Sequence, residues 1–394
     1  MPGRIVLYGA TGYTGGLTAR SMVARGLRPV LAGRDRDRLN ALATRLSPAG
    51  DGTALETAVA DADPGQLRHL IAPGDVLVST AGPFVKVGRA AVEAAVEAGA
   101  VYLDSTGEPP FIRQVFEEFG PRARRSGAAL LTAFGYDYVP GNLAGALALR
   151  DAGPAATGVR IGYFVDGAIR GAASAGTRAT VAGLLLEPGY ALRAGRIATE
   201  RTAAHVTSFE VNGAKRQAFS IGSSEHFALP RLRAEASGAG GGETPAPLAE
   251  VGVYLGWFGR ATRLVHYGCA LVTSLDRVPG VRRALDAQAR RIQRGRAGPG
   301  AAGNLRSTVL AVAGDADGRT LATVRLTGPE PYSFTASVLA WAADRAATHG
   351  VPRSGALGPA EPFGLDALED ACASAGFRRE PAGGQPPPEP PSPV

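Results

Sequence analysis

The chain has 394 residues, enough for two domains and a sizeable core. An apolar content of 45% and a mean hydropathy near zero fit a soluble globular protein. The net charge of +7 is almost all arginine, Lys86 and Lys215 being the only lysines; this follows a general Ala, Gly, Arg and Pro bias, and with no RNA- or DNA-binding motif it excludes a nucleic-acid partner.

Arg4 to Tyr8, dense in Ile, Val and Leu, predicts a short buried strand that runs straight into Gly9-Ala-Thr-Gly12-Tyr-Thr-Gly15. Leu17 to Arg25 has helical spacing. Strand, glycine turn and helix N-terminus together make a phosphate cradle. Gly9 allows the tight turn, Gly12 lets a pyrophosphate approach the backbone, and Gly15 lets helix and strand pack closely. The helix start adds free N–H groups and partial positive charge. Gly9, Thr11, Gly12, Tyr13, Thr14 and Gly15 are therefore candidate cofactor contacts. A second strand, Arg28 to Leu31, ends in Ala32-Gly33-Arg34. An acid there would bind the ribose hydroxyls of NAD but repel a 2′-phosphate, which Arg34 can instead hold with a bidentate fork. Gly33 and Arg34 thus select NADPH over NADH, with Arg36 and Arg38 read as solvated helix charges.

Arg34 to Leu46 is expected to be helical, Ala54 to Ala60 a third strand with Asp61 beyond it near the adenine, and Pro64 to Ile71 a short helix. Asp75 to Thr80 is a fourth strand entering Ala81-Gly82-Pro83-Phe84, and Val85 to Ala98 a helix. Val101 to Asp104 is a fifth strand, followed by Ser105-Thr-Gly107-Glu108. Pro109 and Pro110 suit the first turn of a helix that reaches Arg125. Ala128 to Ala133 is a sixth strand, ending in Phe134-Gly135-Tyr136-Asp137-Tyr138-Val139-Pro140-Gly141. This alternation implies an α/β fold with an N-terminal Rossmann domain, a doubly wound parallel sheet. Ligands bind beyond the carboxyl ends of such strands. GATGYTG, AGR, STAGPF, LDSTGE and FGYDYVPG all fall on that one edge.

This series of segments, with YLDSTGE and GYDYVPGNL, resembles the saccharopine dehydrogenase-like oxidoreductases, most of all the branch of trans-acting enoyl reductases of lipid and polyketide pathways. The resemblance covers residues 4 to 145 and resumes over Gly328 to Gly350. Tyr138 stands where Ser is common in the family, and Val87 where an aromatic is common before Gly88. The first departure bears on the substrate pocket more than on the cofactor site.

A second, α+β domain for substrate or oligomerisation is expected over residues 142–330, after a cofactor domain over 1–141. Val159 to Asp166 reads as a strand, Ser174 to Leu186 as a helix, and His205 to Val211, Gln217 to Ile221 and Glu225 to Leu229 as strands. Ala234 to Ala249 is expected to be a flexible insertion. Val251 to Leu275 is largely apolar, and Arg277 to Arg296 is a basic helical stretch. That pair is open to three readings: a peripheral membrane contact over about 251–296, a cover on the substrate pocket, or a homodimer contact. A buried helix beside a solvated basic one is the plainer expectation. Ser307 to Ala313 and Thr320 to Leu326 form a hairpin around Gly314-Asp-Ala-Asp-Gly318, a plain turn rather than a calcium loop. Helices over Tyr332 to Thr348 and Leu365 to Ala375, within 331–380, are implied by the resemblance to return to the cofactor domain, and 381–394 is a proline-rich tail. Cys269 and Cys372 are read as reduced thiols and the five scattered histidines as non-ligands, so no metal is expected. With no ~18-residue apolar run and no room for a leader before the first strand, the chain is expected to be cytoplasmic, with membrane association left open.

Hydride transfer asks the protein for orientation and electrostatics, since the nicotinamide carries the reaction. Ala81, Gly82, Pro83 and Phe84 are placed to wall the ribose and nicotinamide, with a core role for Phe84 equally weighted. Asp104 and Glu108 flank the same edge. Either could bind a polar group, serve as a buried acid, or cap the helix near Pro109. A reduced alkene needs a proton after hydride arrives; Tyr136 and Tyr138 are candidate acids, with Asp137 orienting the turn, against water as donor and a purely structural hinge. Three functions stay open: an NADPH-dependent reductase of an activated C=C bond on a small-molecule or acyl substrate, with Leu184 to Leu186 and Val251 to Leu275 lining an acyl groove; a saccharopine-like imine or secondary-amine enzyme; and a non-catalytic NADPH-binding partner.

Overall fold

Four tetrads, Ile5–Tyr8 (β1), Val30–Gly33 (β2), Val76–Ser79 (β4) and Val101–Asp104 (β5), are buried along their whole length. Strands covered by helices on both faces read this way. The computed structural model describes residues 3–47, 54–166, 187–238, 245–275 and 305–381. With Thr57–Val59 (β3), Ala129–Leu131 (β6) and Gly355–Ala356 (β15), the tetrads form a seven-stranded parallel sheet in the order β15-β6-β5-β4-β1-β2-β3. The order reverses between β1 and β4, which opens a crevice at their carboxyl ends.

The helices start where short polar side chains can cap them. Asp35 accepts from the Arg38 N–H ahead of α2 (Arg36–Leu46), and Asp63 from the Gln66 N–H ahead of α3 (Pro64–Arg68). The cap at Asp35 leaves Arg34 outside the helix, at the strand end, and β2 lies two residues later than expected. The run expected from Pro109 consists of α5 (Pro109–Gln114), a π turn and α6 (Gly120–Ser126). Late in the chain α10 (Pro331–His349) lies along α1 (Tyr13–Ala24), and the Gly3 N–H donates to the Ala347 carbonyl. Ala336, Ala340, Ala343 and Ala347, spaced four, three and four apart, are buried and allow the close approach.

The second sheet is mixed. Its order is β10 (Val206–Val211), β11 (Ala214–Ser220), β12 (Glu250–Leu255), β7 (Gly158–Asp166), β13 (Arg306–Gly314), β14 (Thr320–Gly328) and β16 (Arg378–Arg379). β12 and β7 are parallel, and the other neighbours antiparallel. Helix α7 (Val139–Ala152), although it leaves the first sheet at β6, packs against β7, β13 and β14 of the second.

Three expectations are corrected. Glu225 to Leu229 is not a strand but the start of α8 (Glu225–Gly238), because the Ser224 carbonyl takes the Phe227 and Ala228 N–H groups and begins a helix. Five residues without periodicity could not distinguish the two. That helix also occupies the first part of the expected insertion. A hairpin, β8 (Pro188–Arg193) and β9 (Arg196–Arg201), was not anticipated. Its turn residues Ala194 and Gly195 both have positive φ, and alanine in the place usually held by Asn or Asp hides the signal. The apolar stretch from Val251 is β12 followed, after a short turn, by α9 (Thr262–Leu275). The expected helices over Ser174 to Leu186 and Arg277 to Arg296, the acyl-groove residues Leu184 to Leu186 and the tail beyond Pro381 lie outside the described residues.

Candidate functional site at the carboxyl edge of the parallel sheet

The cradle is built as its sequence requires. Gly9 has φ +83°, and a Cβ there would lie 2.8 Å from the Ala81 nitrogen. A side chain at Gly15 would collide with the Gly9 carbonyl, so α1 can cross the turn only at glycine. Gly12 is the extended N-cap of α1, and no side chain caps it. The first N–H groups of the helix therefore have no acceptor within it. Gly33 differs: a Cβ there would meet nothing nearer than Leu39 at 3.8 Å. Protein packing does not demand that glycine, and the space above it at the strand end is open to a ligand. Thr11 and Thr14 are partly exposed beside the turn, and the exposed Tyr13 ring stands edge-on to Tyr332 of α10 at 5.1 Å. These residues fit a dinucleotide.

Arg34 is exposed at the end of β2, close enough to lower the pKa of Tyr8, which burial and Asp61 raise. That places Arg34 and Asp61 on the adenosine side of the crevice. Arg38 was expected to be a solvated charge; instead its guanidinium donates to the Thr11 carbonyl at 2.9 Å, directly over the glycine turn. The signal for it was Asp35: a cap at that position puts Arg38 one turn into α2, facing the cradle.

After β4, Ala81 and Pro83 are partly exposed and Gly82 is exposed, but Phe84 turns inward onto Phe111 at 5.6 Å. Phe84 is thus a core residue and not a wall of the nicotinamide. Glu108 explains why the loop holds its shape. Its two carboxylate oxygens accept from the Phe84 and Val85 N–H groups, both at 2.9 Å, and so cap α4 (Phe84–Ala98). It caps a neighbouring helix, not the one beginning at Pro109.

Asp104 is fully buried and is committed to protein partners. Oδ1 accepts from the Thr106 and Ala133 N–H groups at 2.9 Å each, and Oδ2 from the Thr132 hydroxyl at 2.7 Å. Burial pushes its carboxyl up to about 6, although those bonds favour the charged form. With no lone exposed oxygen it cannot contact a cofactor; it ties β5 to the loop after β6.

That loop separates the three candidate acids. Tyr136 is buried among Tyr163, Trp257 and Phe377, its hydroxyl facing Ser307 and Trp257, and burial raises its pKa further from neutrality. Tyr138 is equally buried, edge-on to Tyr163 at 5.7 Å, with its pKa pushed well up by burial and then by Asp137 and Glu225. Neither reaches the crevice. Asp137 differs: it is partly exposed, it lies against Gly107 of the segment after β5, where a Cβ would sit 2.7 Å from its Oδ2, and burial pushes its carboxyl up to about 7.

Behind Asp137 lies a group that the sequence reading took for part of a strand. Glu225, at the first turn of α8, is fully buried and accepts from the Tyr163 hydroxyl at 2.6 Å. Its only sequence signal was an acid set among buried-type residues after Ser223-Ser224. On the outer surface, Leu264, Tyr267 and Leu271 of α9 point outward on one face. No helix among the described residues is long and apolar enough to cross a membrane.

Residues 5–131 match the family model described as the saccharopine dehydrogenase NADP binding domain. A trans-acting enoyl reductase of Mycobacterium ulcerans is 37% identical over 142 residues, 35% of this chain and 34% of that protein. One of Mycobacterium tuberculosis is 38% identical over 143 residues, again 35% and 34%. The chain thus matches about a third of the length of these relatives. In three dimensions, apo saccharopine dehydrogenase (L-Glu forming) of Saccharomyces cerevisiae superposes over 96% of this chain and 99% of its own, with a TM-score of 0.57 at 14% identity. Residues 5–131 therefore match the saccharopine dehydrogenase NADP binding domain, within a chain whose fold is like that of saccharopine dehydrogenase.

Proposed function

We propose that the protein is an NADPH-dependent oxidoreductase that reduces an activated carbon–carbon double bond, such as that of an α,β-unsaturated thioester, with Asp137 as the proton donor. Bound NADPH would supply the hydride. The cradle of Gly9 to Gly15 orients the pyrophosphate, Arg34 and Arg38 hold the 2′-phosphate, and Ala81 to Pro83 flank the other end of the crevice.

The observation that carries the choice is the surroundings of Asp137. Among the described residues burial alone raises its carboxyl, to about 7, so it can carry a proton near neutral pH and release it to a developing enolate. A saccharopine-type substrate, an imine bearing carboxylates, asks for paired basic groups at that place. Arg34 and Arg38 stand at the β2 end of the edge, four strand spacings from β6, or about 19 Å. The names of the relatives support the same choice.

Purified protein should consume NADPH with an α,β-unsaturated thioester, and far less NADH. Consumption only with a mixture of aldehyde and amino acid would move the chain to the imine class. Tight NADPH binding without turnover of either would favour a non-catalytic partner.

A further inference from the structure

Among the described residues, the groups whose bonds or charges bear on Glu225 come from four elements, and none is a cation. Tyr163 comes from β7, Tyr138 and Asp137 from the loop after β6, Tyr190 from β8, and Ser223 from its own turn. His226 sits against Ser223, and burial pushes it down to about 4, so it is neutral. Arg113 and Arg193, whose charges reach Tyr190 and His226, are engaged elsewhere: Arg113 lies over the Tyr190 ring and pairs with Glu117, and Arg193 pairs with Glu200. An ionised carboxylate in such a site is strongly disfavoured.

Buried polar atoms in this seam have no partner, Glu225 Oε2, Asn142 Oδ1 and His226 Nε2 among them. The amide nitrogen of Asn142 donates to the Tyr138 carbonyl at 2.9 Å and the Ser224 hydroxyl at 3.0 Å, which ties the loop after β6 to the start of α8. A proton on Glu225 makes Oε2 the hydroxyl of a neutral acid in place of an ionised oxygen buried without a donor. The Tyr163–Glu225 pair is also tightly walled, because a side chain on Gly141 would collide with both Tyr163 Oη and Glu225 Oε1. Tyr163 in turn stands edge-on to both Tyr136 and Tyr138, the residues on either side of Asp137.

We infer that Glu225 is a positioning residue that works as the neutral acid: accepting from Tyr163, which packs against Tyr136 and Tyr138, it clamps the Tyr136–Tyr138 loop so that Asp137 faces the crevice. This inference rests on the role of Asp137 as proton donor. Burial pushes Glu225 up to about 8, with Asp137 adding to the effect, so it keeps its proton while Asp137 gives up its own. Loss of both protons then removes the clamp as well as the donor.

Glutamine is the isostere of the neutral acid, with one acceptor and one donor in the same places, so Glu225→Gln separates this role from that of an anion. The test is the pH–rate profile with the thioester for wild type, Glu225→Gln, Glu225→Ala and Asp137→Asn, together with infrared spectra of the substrate-free proteins. Glu225→Gln is expected to keep kcat near pH 6.5 within about twofold, whereas Glu225→Ala loses about tenfold or more. On the alkaline side log kcat of wild type should steepen from one proton to two above about pH 8, while Glu225→Gln keeps the one-proton slope. The protonated-carboxyl C=O band at pH 7 should be weaker by one carboxyl in Glu225→Gln than in wild type, what remains there belonging to Asp137 and Asp104. An inactive Glu225→Gln whose fold is intact, or a C=O band equal in both proteins, overturns the neutral-acid role even if Asp137→Asn is dead. Full turnover by Asp137→Asn instead removes the proton donor, and the clamp falls with it.

Discussion

Asp104→Asn should make the protein more stable at neutral pH, although it removes a carboxylate with three hydrogen bonds. The folded carboxyl holds its proton up to about 6 against an ordinary value of 3.8. Between those values the unfolded chain releases a proton that the folded chain keeps, so the contribution of Asp104 to stability is full below about pH 4 and is lost as pH rises through 6. At 1.36 kcal/mol per unit the loss is on the order of 3 kcal/mol. Asparagine carries no such loss, and the site can accept it. Its Oδ1 keeps the Thr106 and Ala133 N–H groups, and its amide takes the place of Oδ2 against the Thr132 hydroxyl, which can turn to accept. Urea midpoints of wild type and Asp104→Asn at steps from pH 4 to 8 measure this directly. The difference should grow in favour of the variant between pH 4 and 6 and then level off. A variant weaker by the same amount at every pH would show that the native state holds the anion at no cost, and would refute the burial argument.

Other outcomes follow from the same geometry. Arg34→Ala and Arg38→Ala should each weaken NADPH binding about tenfold, the size of one lost charge-assisted bond, with little change for NADH; equal losses in titrations with the two cofactors would remove the 2′-phosphate role. Glu108→Ala leaves the Phe84 and Val85 N–H groups without an acceptor and should cost roughly 2–4 kcal/mol in thermal or urea denaturation, with weaker NADPH binding because the Ala81 to Pro83 loop loses its anchor; a variant within about 0.5 kcal/mol of wild type would contradict the cap. Tyr136→Phe and Tyr138→Phe should keep turnover, since both hydroxyls are buried away from the crevice; loss of kcat with intact cofactor binding would return one of them to the role of acid.

The cofactor half of the site was legible because each of its features is local. Gly9 and Gly15 declare a turn whose geometry only glycine satisfies, and Arg34 follows a strand whose end is marked by Ala-Gly. The alternation of strand and helix placed all these segments on one edge before any contact was known. What failed was whatever depends on which way a side chain turns. Phe84 and Asp104 lie on the correct edge but point inward, Glu108 caps a helix other than its own, and the three neighbours Tyr136, Asp137 and Tyr138 divide into two core rings and one partly exposed acid. Glu225 was out of reach for a different reason. Its partner Tyr163 is 62 positions away, and local sequence carries no record of such a meeting.

The most direct test of the proposed reaction is transfer of label. NADPH carrying deuterium at the reactive C4 position, an α,β-unsaturated thioester and the purified protein should give a saturated product that holds one deuterium from the cofactor and one hydrogen from water. Asp137→Asn should bind NADPH as wild type does yet form little of that product. A saturated product formed equally well by Asp137→Asn, or label passing only into an amine made from an aldehyde and an amino acid, would contradict the account.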